Sequence, residues 1–139
     1  MELKFTVTTP VNKTPEDVYD AVVKSDRLCQ YFTNKTSGDL KADKTITWTW
    51  DHYGDADVKI KDIITNELIT FEWSPHHKDP VDVALKFIKK EDGFTSLVIT
   101  EGTYPSTQEG LDQSYDNVSG WQHFALCLKA YIEHGIDLR

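Results

Sequence analysis

Glu101 is the residue whose position in this sequence points most directly to chemistry. It follows an alternating segment in which Leu97 and Ile99 have the same parity, so its carboxylate points to the same side as two apolar side chains. A carboxylate taken out of water needs a hydrogen-bonding partner. We therefore expect Glu101 to be the polar end of a binding site, where it orients a donor group of the ligand. The alternative is that the strand ends here and Glu101 stays hydrated at an open rim.

Apart from Glu101, the sequence shows no recognisable catalytic motif. Tyr31, Tyr104 and Tyr115 could supply further polar groups at the mouth of such a site. The sequence has no GxSxG elbow and no glycine-rich phosphate loop, and no carboxylate pair can be assigned a separation. We therefore predict no catalytic residues.

The five histidines do not indicate a metal site. His76 and His77 are neighbours in a loop, where adjacent side chains point in different directions. His123 and His134 lie 11 positions apart, or about 16 Å along a helix, too far to share one ion. No HExxH spacing occurs. We expect solvated histidines and no metal or cofactor.

A long helical pattern over residues 112–134 is the element best suited to cover a site at Glu101. At 1.5 Å per residue, these positions make a rod of roughly 33 Å, long enough to cross a small sheet and enclose a cavity against it. Its apolar residues recur at steps of three and four and so share one face. They are Val118, Trp121, Phe124, Ala125, Leu128, Tyr131 and Ile132.

The preceding residues are patterned mainly as strands. Residues 2–8 alternate as a half-buried strand, and two short helices are predicted next, one through Val23 and one over residues 27–32. Alternating segments with short loops then fill residues 36–104, and a polar connection over 102–110 leads to the long helix. This order predicts an α+β fold with an antiparallel sheet of about six to seven strands.

Composition narrows the class of protein. The 139 residues suit one domain, which we place at residues 1–139, and 39% hydrophobic content is typical of a globular chain. A net charge of −8 disfavours nucleic acid and anionic lipid surfaces. No stretch approaches the roughly 18 apolar residues of a membrane span, no signal peptide is evident, and Cys29 and Cys127 form no CxxC motif. A cytoplasmic protein is expected.

Several short motifs resemble one known family. They are ITFEW at residues 69–73, TEG at 100–102, and GW at 120–121 leading through LKAYIE at 128–133 to GI at 135–136. In this order they resemble the START-like or SRPBCC superfamily, and within it the branch named after the activator of the heat-shock chaperone ATPase. The resemblance implies a helix-grip fold, in which a curved antiparallel sheet grips the C-terminal helix with a cavity between them.

The resemblance does not imply one activity. Members include hydrophobic-ligand carriers, cyclases and stand-alone domains. The founding co-chaperones carry a further N-terminal domain that contacts the chaperone, and nothing in this sequence corresponds to it. This absence speaks against activation of a chaperone by this chain.

These observations favour binding of a small apolar or amphipathic molecule between the sheet and the last helix. Two alternatives stay open: a homodimeric or chaperone-associated interaction module, and a lyase, cyclase or hydrolase that uses Glu101 or a tyrosine as proton donor. The same side chains could also simply pack as a filled core. The predicted ligand-binding residues are Trp48, Trp50, Phe71, Trp73, Leu85, Phe87, Leu97, Ile99, Glu101, Trp121, Phe124 and Leu128.

Overall fold

The computed structural model describes residues 1–75 and 78–139. Within them, seven antiparallel strands form one curved sheet in the order β1-β7-β6-β5-β4-β3-β2. The elements are β1 (Leu3–Val11), α1 (Pro15–Val23), α2 (Ser25–Leu28), β2 (Lys35–Thr36), β3 (Thr45–Trp50), β4 (Gly54–Ile64), β5 (Leu68–Trp73), β6 (Val81–Lys89), β7 (Thr95–Tyr104) and α3 (Gln108–His134). This architecture confirms the predicted α+β helix-grip fold; the single-domain assignment stays a prediction.

The connection between β7 and α3 is shorter than the sequence predicted. The strand continues to Tyr104, and the helix begins four residues early because Thr107 caps it, accepting a hydrogen bond from the Gly110 backbone N–H at 3.0 Å. A Cβ atom at Gly110 would lie only 2.0 Å from the carbonyl oxygen of Pro105. This close approach fixes where α3 leaves the sheet.

The two short helices are tied to α3 by one arginine. α2 ends at Leu28, before the predicted end at residue 32. From this helix, Arg27 donates to the carboxylates of Asp17 and Asp20 at 3.0 and 2.9 Å, and to the hydroxyl of Tyr131 at 3.3 Å. These contacts join α1, α2 and α3 into one layer over the sheet.

Alternation along the strands separates an inner face from an outer one. On β6, for example, Val81, Val83, Leu85 and Phe87 are buried, whereas Asp82 and Lys86 are exposed. The core lies between this inner face and the helices. In the described part of the chain, every helix is too short or too polar to cross a membrane.

Candidate ligand site around Glu101

The Glu101 side chain is completely buried and accepts hydrogen bonds from four protein donors. Its Oε1 atom receives the indole N–H groups of Trp73 and Trp121, at 2.7 and 3.1 Å. Its Oε2 atom receives the Asn117 amide at 2.9 Å and the Tyr104 hydroxyl. Glu101 therefore lies inside the protein and not at a hydrated rim.

Three elements bring these donors together. Glu101 faces inward from β7, where it pairs with Val83 of β6, and Trp73 reaches it from β5 on the same face of the sheet. Asn117 and Trp121 are four residues apart on α3 and so project from one side of the helix. The carboxylate thus links the sheet to two successive turns of α3.

Neutral dipoles surround the negative charge. An ionised carboxylate has about four acceptor positions, and the four donors match that number. Among the described residues, no lysine or arginine forms an ion pair with Glu101. The carboxylate is saturated by hydrogen bonds and has no cationic partner in the described part of the chain.

Tyr104 is oriented by two neighbours. The Asn117 amide donates to its hydroxyl oxygen at 3.0 Å, which leaves the hydroxyl proton for Glu101. Burial, and then the hydrogen bond to Glu101 and its charge, raise the pKa of Tyr104. The phenol is therefore held in its protonated form.

Aromatic rings fill the layer beside the carboxylate. The Trp121 ring lies 5.3 Å from both the Trp73 and Phe124 rings and 6.2 Å from that of Phe71, centroid to centroid. The Trp48 ring contacts Trp73 and Phe71 in the same way, at 6.1 and 5.8 Å. Three of these pairs are edge-on and two are tilted, at 53° and 45°, so none of them is stacked face to face.

The indole nitrogen of Trp48, in this aromatic layer, lacks a hydrogen-bond partner among the described residues. The Trp48 side chain is completely buried, yet its indole N–H finds no acceptor among residues 1–75 and 78–139. Buried donors in native proteins are nearly always paired, and each exception needs an explanation. This N–H is therefore a candidate contact for a bound molecule.

The structure brings together most of the residues that the sequence proposed as ligand contacts. Trp50 and Trp73 are half-buried, at the edge of the aromatic layer. The other ten are buried: Trp48, Phe71, Leu85, Phe87, Leu97, Ile99, Glu101, Trp121, Phe124 and Leu128. Their role in binding stays a prediction.

Phe87 belongs to a different part of the core from Glu101. It lies four residues along β6 from Val83, the partner of Glu101, which corresponds to about 14 Å. Its ring packs edge-on against Tyr19 of α1 at 5.5 Å. Phe87 therefore supports α1 and does not face the carboxylate.

Sequence reasoning missed Asn117, although a signal was present: an amide four residues before Trp121 falls on the apolar stripe of the helix. It also placed three tyrosines at the mouth of the site. Tyr31 is buried and donates to the Ala21 carbonyl at 2.9 Å, and Tyr115 is 60% exposed. Among these three, Tyr104 is the one that contacts Glu101.

The described residues show no metal-ligand cluster, and two pockets open on other parts of the surface. No three His, Cys, Asp or Glu side chains of the described part are placed to hold a metal ion, and His76 and His77 lie outside that part. A pocket of about 230 Å³ opens on the outer sheet face near Lys4 and Asp82, and one of about 440 Å³ lies near Ile64 and Ile88. Neither is lined by α3.

Comparison with solved structures supports the fold. A Staphylococcus saprophyticus protein is 25% identical, with a TM-score of 0.85 over 99% of this chain and 96% of its own. The Aha1 dimer of Colwellia psychrerythraea is 21% identical, with a TM-score of 0.80 over 96% and 98%. CalU16 of Micromonospora echinospora is 20% identical, with a TM-score of 0.72 over 94% and 74%. No curated protein matches the sequence.

The family model gives the assignment. Residues 12–133 match the model described as activator of Hsp90 ATPase homolog 1-like protein. This match covers most of the chain, and the helix-grip architecture agrees with it. The chain therefore belongs to the family of activator of Hsp90 ATPase homolog 1-like proteins.

Proposed function

We propose that this protein binds a small apolar or amphipathic molecule in the aromatic layer between its sheet and α3. The observation that carries the proposal is the buried indole N–H of Trp48 inside that layer, which has no acceptor in the described part of the chain. An unsatisfied buried donor costs about 1–3 kcal/mol, and a ligand carbonyl, ether or hydroxyl oxygen would recover part of that cost.

Burial would supply most of the affinity. Removing about 200 Å² of apolar ligand surface from water contributes on the order of 5 kcal/mol before the costs of association are subtracted. This corresponds to modest affinity, which polar contacts then refine. The ligand is therefore expected to be small, flat and mostly apolar, with an acceptor group.

The half-buried rings mark the route into the layer. Phe32, Trp50 and Trp73 lie at the outer edge of the cluster, and the Phe32 ring contacts those of Trp48 and Trp50 at 5.8 and 5.2 Å. On β4, the residue opposite Trp48 is Ala56, whose small side chain fills little space. In this proposal the ligand enters past these outer rings to reach the Trp48 N–H.

Glu101 has two parts in this proposal. It holds the indoles of Trp73 and Trp121 in place through their N–H groups. Where the ligand carries a hydrogen-bond donor, Glu101 would also orient that donor, which must then replace one of the protein donors. Trp73 is the half-buried one, so the ligand donor would replace its hydrogen bond.

The geometry favours binding over catalysis. A general acid works best when its pKa is near the working pH, but the pKa of Tyr104 is raised from an ordinary value already near 10. The Glu101 oxygens are engaged by four donors. Neither group is free to exchange a proton with a substrate.

Indole N–H resonances give a direct test. The four tryptophans should give four indole signals in a ¹H–¹⁵N spectrum, and loss of one in Trp48→Phe assigns the signal of interest. We expect 2-acetonaphthone to shift the Trp48 indole signal. Because a net hydrogen bond contributes about 1 kcal/mol, this ketone should bind roughly 5–10-fold more tightly than 2-ethylnaphthalene. Trp48→Phe should abolish that preference, whereas exposed Tyr115→Phe should keep it. Absence of binding by both compounds would refute the proposal.

The homodimer stays a prediction alongside this function. The Colwellia psychrerythraea relative is a dimer, but its identity of 21% carries only the fold to this chain. Sedimentation velocity between 10 and 500 µM protein, roughly the range of weak self-association, would decide the point.

A further inference from the structure

We propose that the preferred ligand is an amphipathic cation, such as a quaternary or tertiary ammonium on an apolar group, bound against the indole faces beside Glu101. This inference rests on the proposed function and specifies its ligand class. It starts from a charge that the protein does not balance with a lysine or arginine in the described residues.

A buried charge of this kind favours a counter-ion. The Glu101 carboxylate has no exposed surface, and the surrounding medium screens it far less than water would. The net charge of −8 adds a long-range attraction for cations and a repulsion for anions. A cation that enters the aromatic layer therefore gains an interaction that a neutral molecule of the same shape lacks.

The hydrogen bonds select the type of cation. Both oxygens of Glu101 are already occupied, so a primary ammonium group must displace a protein donor before it can bond to them. A quaternary ammonium has no N–H and needs no acceptor. It can interact with the charge while all four protein hydrogen bonds stay intact.

The indole rings provide the contact surface. Trp73 and Trp121 donate to the same oxygen of Glu101, and their rings lie 5.3 Å apart at 45°. Donation to an anion enriches the electron density of each ring, which strengthens its attraction for a cation over its face. Tryptophan is already the best side chain for this interaction, which extends to about 6 Å from the ring centroid.

Trp73 is the accessible member of the pair. It is half-buried at the edge of the layer, whereas Trp121 is only 2% exposed. Its ring also lies 6.1 Å from that of Trp48, whose N–H has no acceptor within residues 1–75 and 78–139 and would donate to an acceptor on the same ligand. The site thus suits a molecule that carries a cationic group and an oxygen acceptor a few bonds apart.

Butyrylcholine and its neutral isostere 3,3-dimethylbutyl butyrate separate charge from shape. Both carry the same ester acceptor and the same bulk, and only the first is charged. Titrations of the protein with each compound are followed by indole N–H shifts. We expect the cation to bind at least about tenfold more tightly. Equal affinities, or no binding by either compound, would overturn the cation proposal. The proposed function would still stand if 2-acetonaphthone binds, and would fall with it if the two naphthalenes also fail to bind.

Three variants test the origin of the preference. Glu101→Gln keeps the size of the side chain but removes its charge, and should abolish the tenfold difference. Glu91 is exposed, and Glu91→Gln changes the net charge by the same amount. This control should preserve the tenfold difference in affinity. If Glu101→Gln does not fold, Trp73→Leu serves instead: it should weaken the cation about tenfold and the isostere much less. A preference that survives in a folded Glu101→Gln or Trp73→Leu protein would overturn the proposal.

Discussion

Trp121 of α3 donates its indole N–H to Glu101 of β7 across 3.1 Å, and this bond joins the long helix directly to the sheet. Asn117, one turn earlier, bonds to the other carboxylate oxygen at 2.9 Å. One acidic side chain therefore contacts two successive turns of α3 and helps to hold the helix in its rotation against the sheet. Mutations that alter this carboxylate should loosen the helix as well as change the site.

Glu101→Gln should destabilise the fold even though the two side chains have nearly the same shape. The glutamine NH₂ group would face protein donors, so at least one buried donor loses its acceptor at a cost of about 1–3 kcal/mol. Urea unfolding measures this change. The matched control is Glu72→Gln on the partly exposed outer face of β5, which should stay within about 0.5 kcal/mol. Equal effects of the two substitutions would contradict the buried network.

Trp48→Phe and Trp121→Phe should lower the free energy of unfolding by different amounts, although both remove the same side-chain volume. Trp121→Phe leaves Glu101 short of one donor, whereas Trp48→Phe removes an N–H that has no acceptor among the described residues. Trp121→Phe should therefore lower the free energy of unfolding by about 1–3 kcal/mol more than Trp48→Phe does. Denaturation midpoints of both variants at pH 7 compare them. If Trp48→Phe is the more damaging substitution, its N–H is satisfied after all.

Gly110→Ala should be strongly destabilising. The added methyl group would overlap the Pro105 carbonyl oxygen, and relief of such overpacking typically costs about 1–3 kcal/mol. Gly120→Ala is the matched control in the same helix, because its Cβ would meet no atom within 4 Å. That substitution should stabilise the protein by about 0.5–1 kcal/mol. Thermal unfolding should therefore show shifts of opposite sign.

Alkaline pH should weaken the folded protein partly through Tyr104. Burial and the Glu101 contact raise the pKa of this phenol in the folded state, whereas in the unfolded chain it is about 10. Above pH ~10 the unfolded state binds fewer protons, so the free energy of unfolding falls as pH rises. Below pH ~10, Tyr104 is protonated in both states, and its contribution to the free energy of unfolding is fully present.

Tyr104→Phe should make this alkaline loss of stability shallower. Urea midpoints between pH 8 and about 11, bracketing the ordinary tyrosine pKa, give the slope. Tyr31 also has a pKa raised by burial, so a residual slope should persist in the variant. Exposed Tyr115→Phe is the control and should retain the full slope. Identical slopes for the two variants would show that Tyr104 does not titrate with unfolding.

Local sequence patterns were sufficient for most of the fold. Alternation in ITW and ITF fixes which faces of β3 and β5 are inward, and the Thr14-Pro15 start of α1 was recognisable because capping is a local interaction. The start of α3 was missed although its contacts are also local: Thr107 accepts a hydrogen bond from the Gly110 N–H, and Gly110 packs against Pro105. A glycine in a polar segment is more typical of a loop than of a first helical turn, so the pattern favoured a later start.

The sequence by itself determined that Glu101 would face inward, because side chains alternate with a strict period of two along a strand. It also determined that α3 would present Trp121 and Phe124 to the sheet, because helical residues three apart share a face. Only the tertiary structure decided which groups meet the carboxylate. Trp73, Tyr104 and Asn117 come from separate elements, and their convergence depends on strand register and helix placement, which no local pattern specifies.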